Sequence, residues 1–231
     1  MGRLSLVAAL LLAVPVLAAE GGVRGTVKLF QVLPDGSKKA LPDASEAVVY
    51  VPDFEQPAPE DSVGGQIHQK DKRYVPSALP IVKGQTVEFV NDDPILHDVF
   101  SSSRAAGRNG MDLGKYKGPG KTKTWQFRKA GIIDIYCDIH EAMFATVLVL
   151  PNSAFQKPTP AGAFQIDHLP AGHHVLYVWA RNGKKASADV DVQDGKVTSL
   201  PPLEVDITVG ESSHMDVHGK PYSRHPEAYG D

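Results

Sequence analysis

Short runs of β-branched and aromatic residues recur along the whole chain, each closed within a few positions by a turn signal, and no segment sustains a helical period. The first runs are GVRGTVKLF (22–30), EAVVYV (46–51), ALPIV (78–82), QTVEFV (85–90) and HDVF (97–100). TKTWQF (122–127), GIIDIYC (131–137) and ATVLVL (145–150) follow. GAFQID (162–167), HHVLYVWA (173–180), ASADVDV (186–192) and LEVDITV (203–209) complete the series. Several alternate apolar with polar residues, which on a pleated strand sends one set inward and the other to solvent. Turn-forming residues stand between them: Pro34-Asp35-Gly36, Lys83-Gly84, Gly118-Pro119-Gly120 and Asn182-Gly183. The fold class this pattern predicts is all-β.

The start of the chain, MGRLSLVAALLLAVPVLAAE, bears on its compartment. One basic residue, Arg3, precedes an apolar run from Leu4 to Leu17, and the small residues Ala18 and Ala19 follow. That is the layout of a secretory signal peptide over residues 1–19, with an apolar run too short to span a membrane comfortably. The expectation is a periplasmic or secreted protein with no stable membrane insertion once the leader is cleaved. Cleavage removes one of the 24 basic residues and none of the 27 acidic ones, moving the net charge from −3 to −4. A mildly acidic surface without a basic stripe argues against nucleic acid as a partner.

Export makes the cysteine content informative. Cys137 is the only cysteine, so it can pair with another chain, lie buried and inert, or bind a metal, but it cannot close an internal disulfide. In GIIDIYC the period of two puts Ile133, Ile135 and Cys137 on one face, with the thiol at its end, where a loop begins. The loop reads Cys-x2-His-x2-Met, so Cys137, His140 and Met143 can converge on one point. Thiolate, thioether and imidazole together suit copper in both oxidation states, and two imidazoles, a thiolate and a long axial thioether make a blue-copper site. A second nitrogen donor from another part of the fold is needed, and His97 in FVNDDPILHDVF, just after a loop containing Pro94, is the candidate. A binuclear copper centre would need a second cysteine, and an oxidase or reductase would need His-x-His clusters; the chain has neither.

These residues, in this order, resemble the cupredoxins. VPSALPIVKGQTVEFVNDD is similar to the segment leading to their first histidine ligand, and MDLGKYKGPGKTKTWQFRKAGIIDIYC to the strands leading to their cysteine. The loop spacing is similar to that of amicyanins, and the resemblance covers residues 64–151, as in plastocyanin-like proteins of the methylamine-utilisation type. It implies a Greek-key β-sandwich holding one type-1 copper ion on His97, Cys137, His140 and Met143. It also implies that Asn91 steadies the ligand loop by hydrogen bonding. Asp98 stands where relatives often carry Asn, and Glu141 where many carry Pro. The resemblance implies an electron port at His140, ringed by Pro94, Ile95, Leu96, Ala142 and Phe144.

Residues 153–209 contain GAFQIDHLPAGHHVLYVWARNG, which resembles a carboxypeptidase regulatory-like, transthyretin-type β-sandwich lacking its opening strands. A matching opening, VRGTVKLFQVLPDGSKKALPDASEAVVYV, lies at the other end of the chain. The expectation is one discontinuous sandwich built from 22–54 and 153–209, interrupted by the copper domain at 64–151. No catalytic set is evident in it. His173 and His174, adjacent on a strand, should point to opposite faces, and His68 and His168 read as surface residues. Residues 210–231, with His214, Met215, His218 and His225, read as a flexible polar tail. The function expected is electron transport without enzymatic activity, between redox proteins such as a cytochrome c or a periplasmic dehydrogenase. Copper handling by a chaperone or storage protein is the alternative, and a structural module with a vacant site a third.

Overall fold

The computed structural model describes residues 20–208 and 214–222. The expected leader and positions 209–213 and 223–231, His225 among them, lie outside the described residues. All regular structure within them is strand. No helix among them is long and apolar enough to cross a membrane.

The first strands are β1 (Glu20–Val32), β2 (Lys38–Ala40) and β3 (Val48–Tyr50). The middle of the chain supplies β4 (Val63–Lys70), β5 (Arg73–Val75), β6 (Ala78–Val82), β7 (Thr86–Asn91), β8 (Leu96–His97) and β9 (Phe100–Ser101). It continues with β10 (Met111–Asp112), β11 (Tyr116–Lys117), β12 (Lys121–Gln126), β13 (Gly131–Tyr136) and β14 (Phe144–Leu150). Last come β15 (Phe155–Gln156), β16 (Ala163–Pro170), β17 (Gly172–Trp179), β18 (Ala186–Val192), β19 (Val197–Ser199) and β20 (Leu203–Thr208).

The middle strands make two sheets, β12-β7-β4-β5 and β10-β9-β13-β14-β6, with β11-β8 as a separate two-stranded ladder. Ile67, Val87 and Phe89 from the first sheet and Ile133, Ile135, Ala145, Val147 and Val149 from the second bury together in one cluster, which also contains Cys137 and Met143. The other strands make a second pair of sheets. In one, β1 pairs with β16 and β19 along its first half and with β2 and β20 along its second. The other runs β15-β3-β17-β18. Val23, Val27 and Val49 from the start of the chain share a core with Phe164, Ile166, Leu176 and Val190 from its later part. Segments on either side of the middle sandwich therefore fold as one body.

The two sandwiches meet on β14. Ala145, Val147 and Val149 point into the middle core, while Leu148 and Leu150 point the other way, against Val48 and Ala78 with Tyr50, Phe155 and Trp179 beside them. Thr146, on the same outward face, gives its hydroxyl proton to Asp134 at 2.7 Å. A strand covered on both faces needs no polar alternation, which is why ATVLVL reads as a continuous apolar run. Polar contacts flank the junction. Lys157 reaches Glu46 at 2.9 Å and the carbonyl of Ala78 at 3.1 Å. The Arg181 guanidinium lies 3.6 Å from the ring centre of Phe144.

HDVF, expected as one strand, is broken after His97. Asp98 and Val99 leave the ladder because the Val99 N–H donates to the Asp98 carboxylate at 2.8 Å and the Asp98 N–H turns toward Cys137 Sγ. The strand β4 has no counterpart among the expected runs. It opens on an exposed Val63 followed by Gly64 and Gly65, and Ile67 is its only buried large apolar residue.

Leu148→Ala should cost about 2–5 kcal/mol, the usual range for a leucine deleted from a close-packed site. Urea denaturation should show a lower midpoint, and an unchanged midpoint would mean the junction contributes nothing to the fold.

Candidate metal centre

Cys137 follows β13 directly, and His97 closes β8, so the two side chains arrive from separate elements. Both are fully buried. His140 sits on the connection from β13 to β14 and is half-buried. That connection is short because the Met143 N–H donates to the His140 carbonyl at 3.0 Å, closing a turn through Glu141 and Ala142. One ligand atom from each of His97, Cys137 and His140 lies within 4.8 Å of the others. His97 Nδ1 and His140 Nδ1 are 3.2 Å apart, and Cys137 Sγ is 3.6 Å from His140 Nδ1.

These spacings fit a metal. Nitrogen and thiolate donors held at about 2.0–2.3 Å from one ion would stand about 3.2–4 Å from each other. The donor set, two imidazoles and a soft thiolate, is also the right chemistry for copper. Met143 is fully buried in the same apolar cluster as Cys137, while its backbone closes the turn that carries His140.

Cys137 is shielded on every side. Burial pushes its thiol up, and the backbone N–H groups of Asp98, Ile139 and His140 pull the other way. The Asp98 N–H lies 3.4 Å from the sulfur. Asp98 itself is buried and its carboxyl is pushed up to about 6, chiefly by desolvation, with the Val99 N–H opposing. Tyr74, from β5, holds the neighbouring backbone: its hydroxyl lies 2.7 Å from the carbonyl of Asp98 and 3.1 Å from that of Tyr136.

Asn91 ends β7 and organises the loop before His97. Its amide donates to the carbonyls of Ile95 and Tyr116, each at 3.0 Å, and its side-chain oxygen accepts from the Asp93 N–H at 2.9 Å. Gly118 lets another loop press on this one: a Cβ there would stand 2.4 Å from the Asn91 carbonyl and 2.5 Å from that of Asp93. The two aspartates that follow Asn91 part company. Asp92 is exposed and pairs with His68 at 2.8 Å, whereas Asp93 is buried and lies 2.8 Å from His97 Nε2.

The described stretch of the tail makes its own contacts with the metal centre. Residues 214–222 pack along the ligand loop. Tyr222 donates its hydroxyl proton to the Cys137 carbonyl at 2.6 Å. The Val217 N–H donates to the Asp138 carboxylate at 3.0 Å. His214 Nε2 reaches the Glu141 carbonyl at 2.9 Å, and its ring stacks on Tyr136 with centres 4.0 Å apart. Tyr222, Tyr74 and Asp93 escaped the sequence reading. Only Asp93 carried a signal, an acidic residue four positions before a histidine in a proline-containing loop.

His168, His173 and His174 are occupied elsewhere. His173 faces solvent beside Asp189 and Asp191, and His174, on the opposite face, is buried against Asp53 and the Pro170 carbonyl. His168 is exposed and pairs with Glu20. Of the residues expected to ring the port, Pro94 and Ala142 are exposed and Ile95, Leu96 and Phe144 half-buried. Ala142 and Phe144 also line a cavity with Glu46, Lys72, Arg73 and Val75.

No protein-family model matches the chain, and no curated protein does. Solved structures similar to it include amicyanin from Paracoccus versutus (Thiobacillus versutus), 23% identical, which covers 44% of this chain and 96% of its own at a TM-score of 0.34. A Cu(I) form of an amicyanin mutant is 19% identical and covers 45% of this chain and 98% of its own, with a TM-score of 0.35. A reduced form of another amicyanin mutant is 20% identical, with the same coverage and score. At these scores the likeness supports no assignment of individual residues.

Tyr222→Phe removes the hydroxyl's bond to the cysteine carbonyl together with its 3.2 Å contact with His214 Nδ1. It should lower stability by about 1 kcal/mol and speed amide exchange at residues 137–140 roughly fivefold. Exchange at the wild-type rate would mean the tail rests on the loop without holding it.

Proposed function

We propose that this chain is an exported electron carrier with one type-1 copper ion held by His97, Cys137, His140 and Met143. The observation that carries this reading is the convergence of two imidazoles and the lone thiol within 4.8 Å, from two elements forty residues apart, at the end of a closed apolar core. Copper bound there would supply a one-electron couple between Cu(I) and Cu(II).

The protein's own part is to keep the donors still. His97 is buried and backed by Asp93, so its ring has one orientation available. Cys137 is held by the Asp98 N–H on its sulfur and by Tyr222 on its carbonyl. Burial keeps solvent from the sulfur, which limits its oxidation in an oxidising compartment. On this reading the buried Met143 would supply a fourth, thioether donor. A donor set that does not rearrange when charge changes presents a low barrier to electron transfer. His140 is the least buried of the three gathered residues and serves as the port. Pro94, Ile95, Leu96 and Ala142 offer a small apolar contact of the kind brief redox encounters use. The partner is another redox protein, such as a cytochrome c or a periplasmic dehydrogenase.

The alternative, copper delivery, calls for a loop that opens. The described tail favours the carrier, because it bonds the ligand loop at Cys137, Asp138 and Glu141. Incubation of the loaded protein with an apo-acceptor separates the two: a carrier retains its copper.

The mature protein loaded with Cu(II) should show a strong visible charge-transfer band that bleaches with ascorbate, and it should melt at a higher temperature than the apo form. Cys137→Ser should abolish the band while the fold persists; a band that survives would remove Cys137 from the ligand set. Met143→Leu should keep the colour and raise the reduction potential, because a donor to Cu(II) is lost. An unchanged or lower potential would remove Met143 from the ligand set.

A further inference from the structure

We propose that Asp93 is a positioning residue for the metal centre: its carboxylate fixes His97 with Nδ1 toward the other donors and biases the site toward the oxidised ion. The second half of this statement rests on the copper reading above; the first does not.

The geometry is over-determined. Asp93 Oδ2 lies 2.8 Å from His97 Nε2, with the histidine side chain fully buried and the aspartate nearly so. The carboxylate is itself anchored by backbone. Asp93 Oδ1 accepts from the Asp71 N–H at 2.8 Å, and Oδ2 accepts from the Lys72 N–H at 3.0 Å. Asp71 and Lys72 have φ of 53° and 56°, the pair of left-handed residues that a tight two-residue hairpin between β4 and β5 demands. Their N–H groups consequently point together into one concavity, an anion seat made of main chain. From behind, the Asp93 N–H is fixed on Asn91. No freely rotating side chain intervenes between the hairpin and the imidazole.

Two backbone N–H donors converging on one carboxylate favour its ionised form, and an ionised carboxylate only accepts. The proton of His97 must then sit on Nε2, which leaves the Nδ1 lone pair facing His140 Nδ1 and the thiol. Such a carboxylate behind a metal-bound histidine raises the basicity of the ligand and orients its ring. Negative charge one ring away from a buried ion also favours the more positive oxidation state. The competing role is purely structural: Asp93 could serve only to close the β4–β5 turn.

Two measurements distinguish these roles. In the unmodified apo-protein, nitrogen-15 NMR should find His97 protonated on Nε2, and a proton on Nδ1 would overturn the positioning role. In Asp93→Asn, which keeps the size and removes the charge, the preference of the loaded site for Cu(II) over Cu(I) should fall roughly tenfold, a rise of about 59 mV in a one-electron potential. Asp93→Glu, which restores the charge, should recover part of that rise. A potential unchanged in Asp93→Asn, with only the urea midpoint lowered, would assign Asp93 to the turn alone. Should Asp93→Asn fail to fold, the tautomer in the unmodified protein decides. A wild-type protein that binds no copper would end the electron-carrier reading, while the tautomer would still report whether Asp93 orients His97.

Discussion

The double coverage of β14 is the constraint on which the rest of the structure depends. A strand in an ordinary sandwich has one face in the core and one in water. In β14, Val147 and Val149 fill the middle core while Leu148 and Leu150 are sealed by the second sandwich. A slip of one residue would exchange the two sets, so the register against β13 and β6 is specified from both sides at once. The loop between β13 and β14 inherits that precision. Cys137 leaves the ladder immediately after Tyr136 pairs with Phe144, so the position of the thiol is set by strand pairing before any ligand contact forms.

The loop from Cys137 to Met143 is then held from several directions, each supplied by a distant segment. Asp98 approaches the sulfur, Tyr74 bridges the carbonyls of Asp98 and Tyr136, and the tail binds the carbonyls of Cys137 and Glu141. These are mostly bonds to backbone atoms, so they constrain the course of the chain and leave the donor atoms of the ligands free. The cost of ordering such a loop falls largely on folding, before any metal is bound.

Strands were legible where one periodicity dominated. ALPIV and ASADVDV coincide with β6 and β18 because their burial follows sequence order directly. The strand β4 was invisible because its paired glycines and polar residues hide the alternation, although Ile67 and Gln69 are fully buried. The break between β8 and β9 could not be read either, since a side chain returning to its neighbour's N–H competes with a ladder that sequence alone favours. At the metal centre, the residue types and spacing singled out His97, Cys137 and His140, because the chemistry needs those atoms. The groups around them were not legible, because Tyr74, Tyr222 and Asp93 act through hydrogen bonds whose partners lie far away in sequence.

The two adjacent aspartates show why such supporting groups resist prediction. Asp92 and Asp93 are chemically identical and each lies beside a histidine, yet one pair is solvated and the other buried. The difference comes from the period of the chain: having left β7 at Asn91, successive side chains point apart, so only one can face the interior. Which one does so is decided by the hairpin between β4 and β5, whose two left-handed residues offer their N–H groups to Asp93. A tight turn about twenty residues upstream of Asp93 thereby selects the carboxylate that stands behind His97. The buried aspartate is tolerated because its charge is met by main-chain donors and an imidazole, and that same set of bonds leaves the ring no other orientation.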